Sequence, residues 1–189
     1  MKNLLVTIII ILFQTTVVSQ NFKELEKNAN KGEAKAQFKL GYKYQKDSIL
    51  LDLDKAIYWY KKSAEQDFAI AQSYLGSLLF NDFKDMEKAF YWLEKSANNG
   101  DSLGEYYMGL FYSNGIGFVD KNERLGFYWY KKSAENNNSI AQFLVAINYF
   151  YGIGTLIDKK KSASWMRKSY ENGYQDAKNK WEELELWKY

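Results

Sequence analysis

Apolar positions beyond residue 20 recur at three- and four-residue spacing and do not alternate, so the chain predicts helices throughout. Trp59, Trp92, Trp129 and Trp165 lie 33, 37 and 36 residues apart, and aligning on them brings other columns into register. Seven residues before each tryptophan stand Asp52, Asp85, Asn122 and Asp158. All four are favoured N-caps, because a short side-chain oxygen accepts an orphan amide of the first helical turn. Eight residues after each tryptophan stand Asp67, Gly100, Asn137 and Gly173, with Gly32 one period earlier. These residue types tolerate the left-handed conformation that ends a helix. Start and stop chemistry therefore brackets a helix of about 14 residues four times. We term these the B helices.

A second helix, A, is predicted before each B helix. Its segments read AKAQFKLG (34–41), AIAQSYLG (69–76), SLGEYYMG (102–109) and SIAQFLVA (139–146). Gly41, Gly76, Gly109 and Ala146 form a small-residue column where a neighbouring helix can approach closely. Leu40, Leu75, Met108 and Val145 precede it as core. One turn further on, Tyr44, Leu79, Tyr112 and Tyr149 share that face. Between A and B the length varies. Repeats three and four carry Gly115-Ile116-Gly117 and Gly152-Ile153-Gly154, whereas repeats one and two carry QKDSILL and NDFK.

This unit resembles the Sel-one-like repeat family of the tetratricopeptide-like superfamily. The resemblance rests on AxAQxxLG in helix A, the Gly-x-Gly loop, the Asp cap, and the B-helix motif. That motif reads KAIYWYKKSA (55–64), KAFYWLEKSA (88–97), LGFYWYKKSA (125–134) and KSASWMRKSY (161–170). It implies an all-α fold, an α-solenoid of about four helix-turn-helix repeats of period 33–37 with half-repeat caps. The expected boundaries are 33–67, 68–100, 101–137 and 138–173. Residues 20–32 are expected to form a capping helix and 174–189 a closing one, with Ala177, Trp181 and Leu184 at helical spacing. Glu182 falls in the small-residue column, where its bulk and charge keep a further B helix from docking. The polar outer face of residues 21–31 suits a solenoid terminus.

The first 19 residues read as an address. Lys2 precedes an apolar run from Leu4 to Phe13, followed by Gln14–Ser19. This is the pattern of a secretory signal peptide cleaved near Ser19, and ten apolar residues are too few for a span of about 20. The mature chain is expected to be exported, periplasmic or secreted, with no stable membrane span after cleavage.

Composition then narrows the chemistry. The 189 residues include no Cys and no His, which removes imidazole bases, thiol nucleophiles, disulfides and the usual soft metal ligands. Net charge is +3, nearly all of the positive charge is Lys, and the longest basic run is Lys159-Lys160-Lys161, so nucleic acid is not an expected partner. The carboxylate pairs Asp52/Asp54 and Asp82/Asp85 and the run Glu182, Glu183, Glu185 are sequence neighbours at helix ends. Acid–base catalysis needs carboxyls converging across a cleft. The Gly-x-Gly loops follow no strand and do not continue into a phosphate-binding signature. The tryptophans, with Tyr58, Tyr60, Tyr91, Tyr128 and Tyr130, are read as helix packing rather than a sugar- or base-stacking platform, because they recur at fixed helical positions. Asn137-Asn138-Ser139 is a glycosylation sequon at a helix end. No catalytic residue, cofactor or metal is expected.

The resemblance implies a concave face lined by A helices that binds a protein or peptide. The candidate contact positions are Phe38 and Tyr42, Ser73 and Ser77, Tyr106 and Leu110, and Phe143 and Ile147, each pair one helical turn apart. Three repeats offer apolar groups and the second a polar notch. The expected function is thus an exported, non-enzymatic interaction scaffold. Two alternatives are a β-lactam-binding or -hydrolysing enzyme like cysteine-rich secreted relatives and an envelope glycan-binding protein. Against the first, the chain has no cysteine and no Ser-x-x-Lys.

Overall fold

A computed structural model of the chain describes residues 20–189. The predicted signal peptide, residues 1–19, lies outside the described residues. The described residues are helical, without strand, and divide into two compact units, one ending at Phe68 and the other spanning Ala69–Tyr189.

The first unit holds α1 (20–30), α2 (Ala34–Lys46) and α3 (Leu53–Ala64). Helix α1 closes the end of the repeat. Ala29 is buried with Ala36 and Leu40, and Phe22, Leu25, Tyr44 and Trp59 pack against them. A β-carbon at Gly41 would lie 2.8 Å from the Tyr60 ring, which explains why the small column is small here.

The second unit runs α4 (Ala69–Leu78), α5 (Met86–Asn98), α6 (Ser102–Asn114), α7 (Glu123–Glu135), α8 (Ser139–Tyr151), α9 (Lys159–Glu171) and α10 (Asp176–Glu183). Each helix packs on its neighbours in sequence, and α4 also touches α6, so A helices stack on A helices. This is a helical solenoid: a repeat buries its apolar face only against the next one.

The caps work as their residue types require. Asp52, Asp85, Asn122 and Asp158 accept from the amides of Lys55, Lys88, Leu125 and Lys161 at 2.9–3.1 Å. Asp67, Gly100, Asn137 and Gly173 have φ of 58°, 78°, 64° and 92°, the left-handed conformation expected of them.

The structure departs from expectation at two ends. Helix α4 does not run into an open loop; it tightens into a π-helical turn, Leu79–Phe83, closed by left-handed Lys84. The four-residue NDFK connection is too short for the Gly-x-Gly solution, so the turn is made inside the helix end. The closing helix is also shorter than the 174–189 segment assigned to it. It ends at Glu183, Glu185 turns left-handed with φ 51°, and a 3-10 turn, Leu186–Lys188, follows. That reversal carries Leu186 into the core beside Met166 and Ala177.

Candidate protein-binding face

The eight candidate positions do not share one environment. In the second unit, Tyr106, Leu110, Phe143 and Ile147 are half-buried on α6 and α8. The Tyr106 ring lies 5.1 Å from Tyr107 and 6.2 Å from Tyr130. Phe143 meets Tyr174 at 5.2 Å, edge to face. Burial, then the neighbouring phenols of Tyr107 and Tyr174, pushes the Tyr106 phenol above its ordinary value, so it stays neutral. Tyr174, which meets Phe143 and is near enough to Tyr106 to raise its pKa, thus links the two candidate rings into an aromatic strip, with Leu110 and Ile147 one turn further along α6 and α8. Tyr174 was not among the sequence candidates, because it precedes α10 and belongs to no repeated A-helix column.

Ser73 corrects the predicted polar notch. It is 0% exposed and donates its hydroxyl to the carbonyl of Ile70, so it lies under the face and not on it. Ser77 is half-buried, and its hydroxyl donates to Tyr74. Both hydroxyls serve their own helix, the usual alternative for serine inside one. The second repeat offers polarity elsewhere: Asn81, on the π-helical turn, donates to the Tyr107 hydroxyl at 2.9 Å.

In the first unit, Tyr42 is 41% exposed. Phe38 is half-buried, packed against Tyr60 and Phe68 at 5.7 Å each and Tyr42 at 6.3 Å. It is as much a packing residue as a surface one.

The aromatic B-helix motif separates by column. Trp92 is buried and Trp59, Trp129 and Trp165 are half-buried; Trp165 packs against the α7–α8 core and the α9–α10 core. Tyr60 and Tyr130 are core, and burial pushes the Tyr130 phenol up to about 12. Tyr58, Tyr91 and Tyr128 are not packing residues; all three are exposed, Tyr128 by 51%. Each stands edge-on to its tryptophan and lies under the ammonium of Lys62, Lys95 or Lys132, at 5.2–5.7 Å. The helical period puts the residue before the tryptophan a third of a turn outward.

Polar contacts shape each repeat. Ser63, Ser96, Ser133 and Ser169 donate to the first carbonyl of the A helix, at Ala34, Ala69, Ser102 and Ser139, over 2.6–2.9 Å. Gln66, Asn99, Asn136 and Asn172 donate to Gln37, Gln72, Glu105 and Gln142. Glu105 is the exception in its column, a carboxylate only 1% exposed. Burial raises its pKa, opposed by Asn136 and by Lys132, whose ammonium is 3.7 Å away. The recurring Ser and Asn/Gln columns were the signal for this clasp.

The carboxylates read as helix-end groups stay there. Asp52, Asp85 and Asp158 cap helices, and Glu183 and Glu185 pair with Lys180 and Lys188. No helix among the described residues is long and apolar enough to cross a membrane.

The Sel1 repeat matches four times, at residues 34–68, 69–101, 102–138 and 139–174. A Sel1 repeat protein from Oxalobacter formigenes is similar in structure, with 32% identity and a TM-score of 0.75 over 81% of this chain and 62% of that one. The protein c5321, a protective antigen present in uropathogenic Escherichia coli strains, shares 30% identity and a TM-score of 0.70 over 82% of this chain and 36% of its own. Helicobacter pylori cysteine rich protein B shares 25% identity and a TM-score of 0.56, over 71% of this chain and 98% of that one. The chain thus spans about a third of the E. coli antigen and under two thirds of the Oxalobacter protein. No curated protein sequence matches it. Four matched repeats, with the helix pairs that carry them, make the chain a member of the Sel1 repeat family.

Proposed function

We propose that this Sel1 repeat scaffold binds a protein or peptide on its A-helix face and has no catalytic role. The observation that carries the reading is the aromatic strip of Tyr106, Phe143 and Tyr174, with Leu110 and Ile147 one turn further along α6 and α8. These side chains are half-buried, so each rests on the core and still presents apolar surface. Rigid, partly buried rings are the groups that anchor protein interfaces. Tyr42 and Phe38 supply the corresponding surface in the first unit. Ser77 borders the face, and Ser73 supports it from beneath.

Two comparisons bear on the reading. One similar protein is described as a protective antigen, which fits a product that meets the outside of the cell. The cysteine-rich relative has the same fold, but this chain has no cysteine, and the carboxylates at its helix ends, Asp52, Asp85, Asp158, Glu183 and Glu185, serve as caps and surface pairs. We therefore favour the scaffold over the hydrolase.

The test replaces Tyr106 and Phe143 together with Ser. Partner affinity should fall by more than the melting temperature does. Loss of both in proportion would make these rings core residues and remove the proposed face. Export, proposed from residues 1–19, is tested by N-terminal sequencing of protein recovered outside the cytoplasm. A start at Gln20 is expected; a retained Met1 would overturn it.

A further inference from the structure

The last repeat and the closing helix depart from the repeat pattern at several places, and the substituted side chains converge on one cavity. Tyr170 stands where the other B helices carry Ala64, Ala97 and Ala134, all fully buried; Tyr170 is 41% exposed. Arg167, one of two arginines in the chain, stands in the column of Lys61, Glu94 and Lys131. On α10, Trp181 takes the column of Leu40, Leu75, Met108 and Val145, and Glu182 the small-residue column. With Met166 and Lys178, these four line a cavity of about 200 Å³ between α9 and α10.

The chemistry of the lining is specific. Met166 is wholly buried beneath it, and Trp181 is half-buried. The Arg167 guanidinium lies over the Trp181 ring, 5.3 Å from its centroid. Among the described residues, neither Arg167 nor Lys178 has a carboxylate within ion-pair distance. Glu182 is the single acid of the lining against two cations, so the cavity is net positive. Here two aromatic rings, a thioether and an unpaired guanidinium fork stand together, a concave apolar site with one oriented polar anchor.

We propose that this cavity binds an aromatic carboxylate. The ring lies against Trp181 and Tyr170 above Met166, and the carboxylate takes two hydrogen bonds from Arg167. A cavity of roughly 150 Å³ accepts benzene, so this volume suits one ring. The site is separate from the A-helix face and does not depend on it. The same chemistry is offered by a free aromatic acid and by the C-terminal residue of a peptide.

The experiment titrates the full protein with N-acetylphenylalanine, with its amide, and with Gly-Gly-Gly-Phe, following the Trp181 indole N–H and the Met166 methyl by NMR. The acid should shift both signals saturably. The amide should bind about tenfold more weakly, and Arg167→Gln should weaken the acid by a similar factor. Tyr170→Ala, which restores the residue of the other repeats, should weaken it as well. Tighter binding of the peptide identifies a chain terminus as the ligand, and tighter binding of the acetylated residue identifies a free acid. No shift at Trp181, or equal binding of acid and amide to the unmodified protein, would overturn the proposal without reference to any variant.

Discussion

Glu105 shows how a single residue can be read against its own repeats. Gln37 and Gln142 each donate to a carbonyl eight residues back, Ala29 and Ala134, at 3.1 Å, and each accepts from the next Asn or Gln. Glu105 keeps the accepting half through Asn136 at 2.9 Å. When ionised it has no hydrogen to donate toward Ala97, the residue eight positions back. Glu105→Gln should therefore stabilise the protein at neutral pH, by about 1 kcal/mol for one buried hydrogen bond, read as a rise in melting temperature. The pH dependence fixes the cause. A carboxyl whose folded pKa is raised favours the native state below its ordinary value, and that contribution is lost as pH rises from there through the raised value. Lys132 and Asp101 face the same group and pull in opposite directions. The advantage of the Gln variant should shrink as pH falls through this window; a constant advantage would place its origin elsewhere. Asp52, Asp85 and Asp158 behave oppositely. Hydrogen bonds from Lys55, Lys88 and Lys161 hold them below the ordinary value, so their contribution is present above it and is lost as pH falls through the lowered values.

At the scale of helices, the small column is matched to the large side chain that faces it, Tyr60, Leu93, Tyr130 or Met166. In the third repeat a β-carbon at Gly109 would run into the Tyr130 ring; in the fourth, Ala146 faces the narrower Met166. Gly109→Ala gains helix propensity of about 1 kcal/mol, but overpacking costs about 1–3 kcal/mol, so the variant should melt lower. Combined with Tyr130→Met it should recover part of that loss, a favourable coupling in a double-mutant cycle. Additive losses would mean that the two side chains do not share the contact. Asn122→Ala removes the cap of α7 and should cost about 1 kcal/mol, seen as faster amide exchange in its first turn. Helix starts and stops were legible in the sequence because caps are local: Asp158 and Gly173 act within a few residues of their own position. The Ser and Asn columns recur visibly, but what they clasp was not legible, because Ser133 and Ser102 are 31 residues apart and only the packed helices bring them together. The end of α10 was also hidden. Its apolar spacing runs on through Leu184, and the burial of Leu186, not any helix-stop residue, forces the turn at Glu185.

For the chain as a whole, repetition made the family readable, and it sorted buried from exposed positions only in part. Recurrence reports packing for Tyr60 and Tyr130, but not for Tyr58, Tyr91 and Tyr128, which recur at a fixed helical position and are exposed. It fails where one repeat differs, as at Ser73, or where a contributor sits outside the columns, as with Tyr174. Within the second unit, helices that stack in sequence offer two outer faces, one of A helices and one of B helices, and the proposed function uses the first. The exposed Tyr91 and Tyr128 make the B face the natural control. The decisive measurement places a photo-crosslinking amino acid at Leu110, Ile147, Tyr91 or Tyr128 of the chain in its native cells. The account predicts one partner attached from Leu110 and from Ile147, and none from Tyr91 or Tyr128. A partner joined only through the two tyrosines would contradict it.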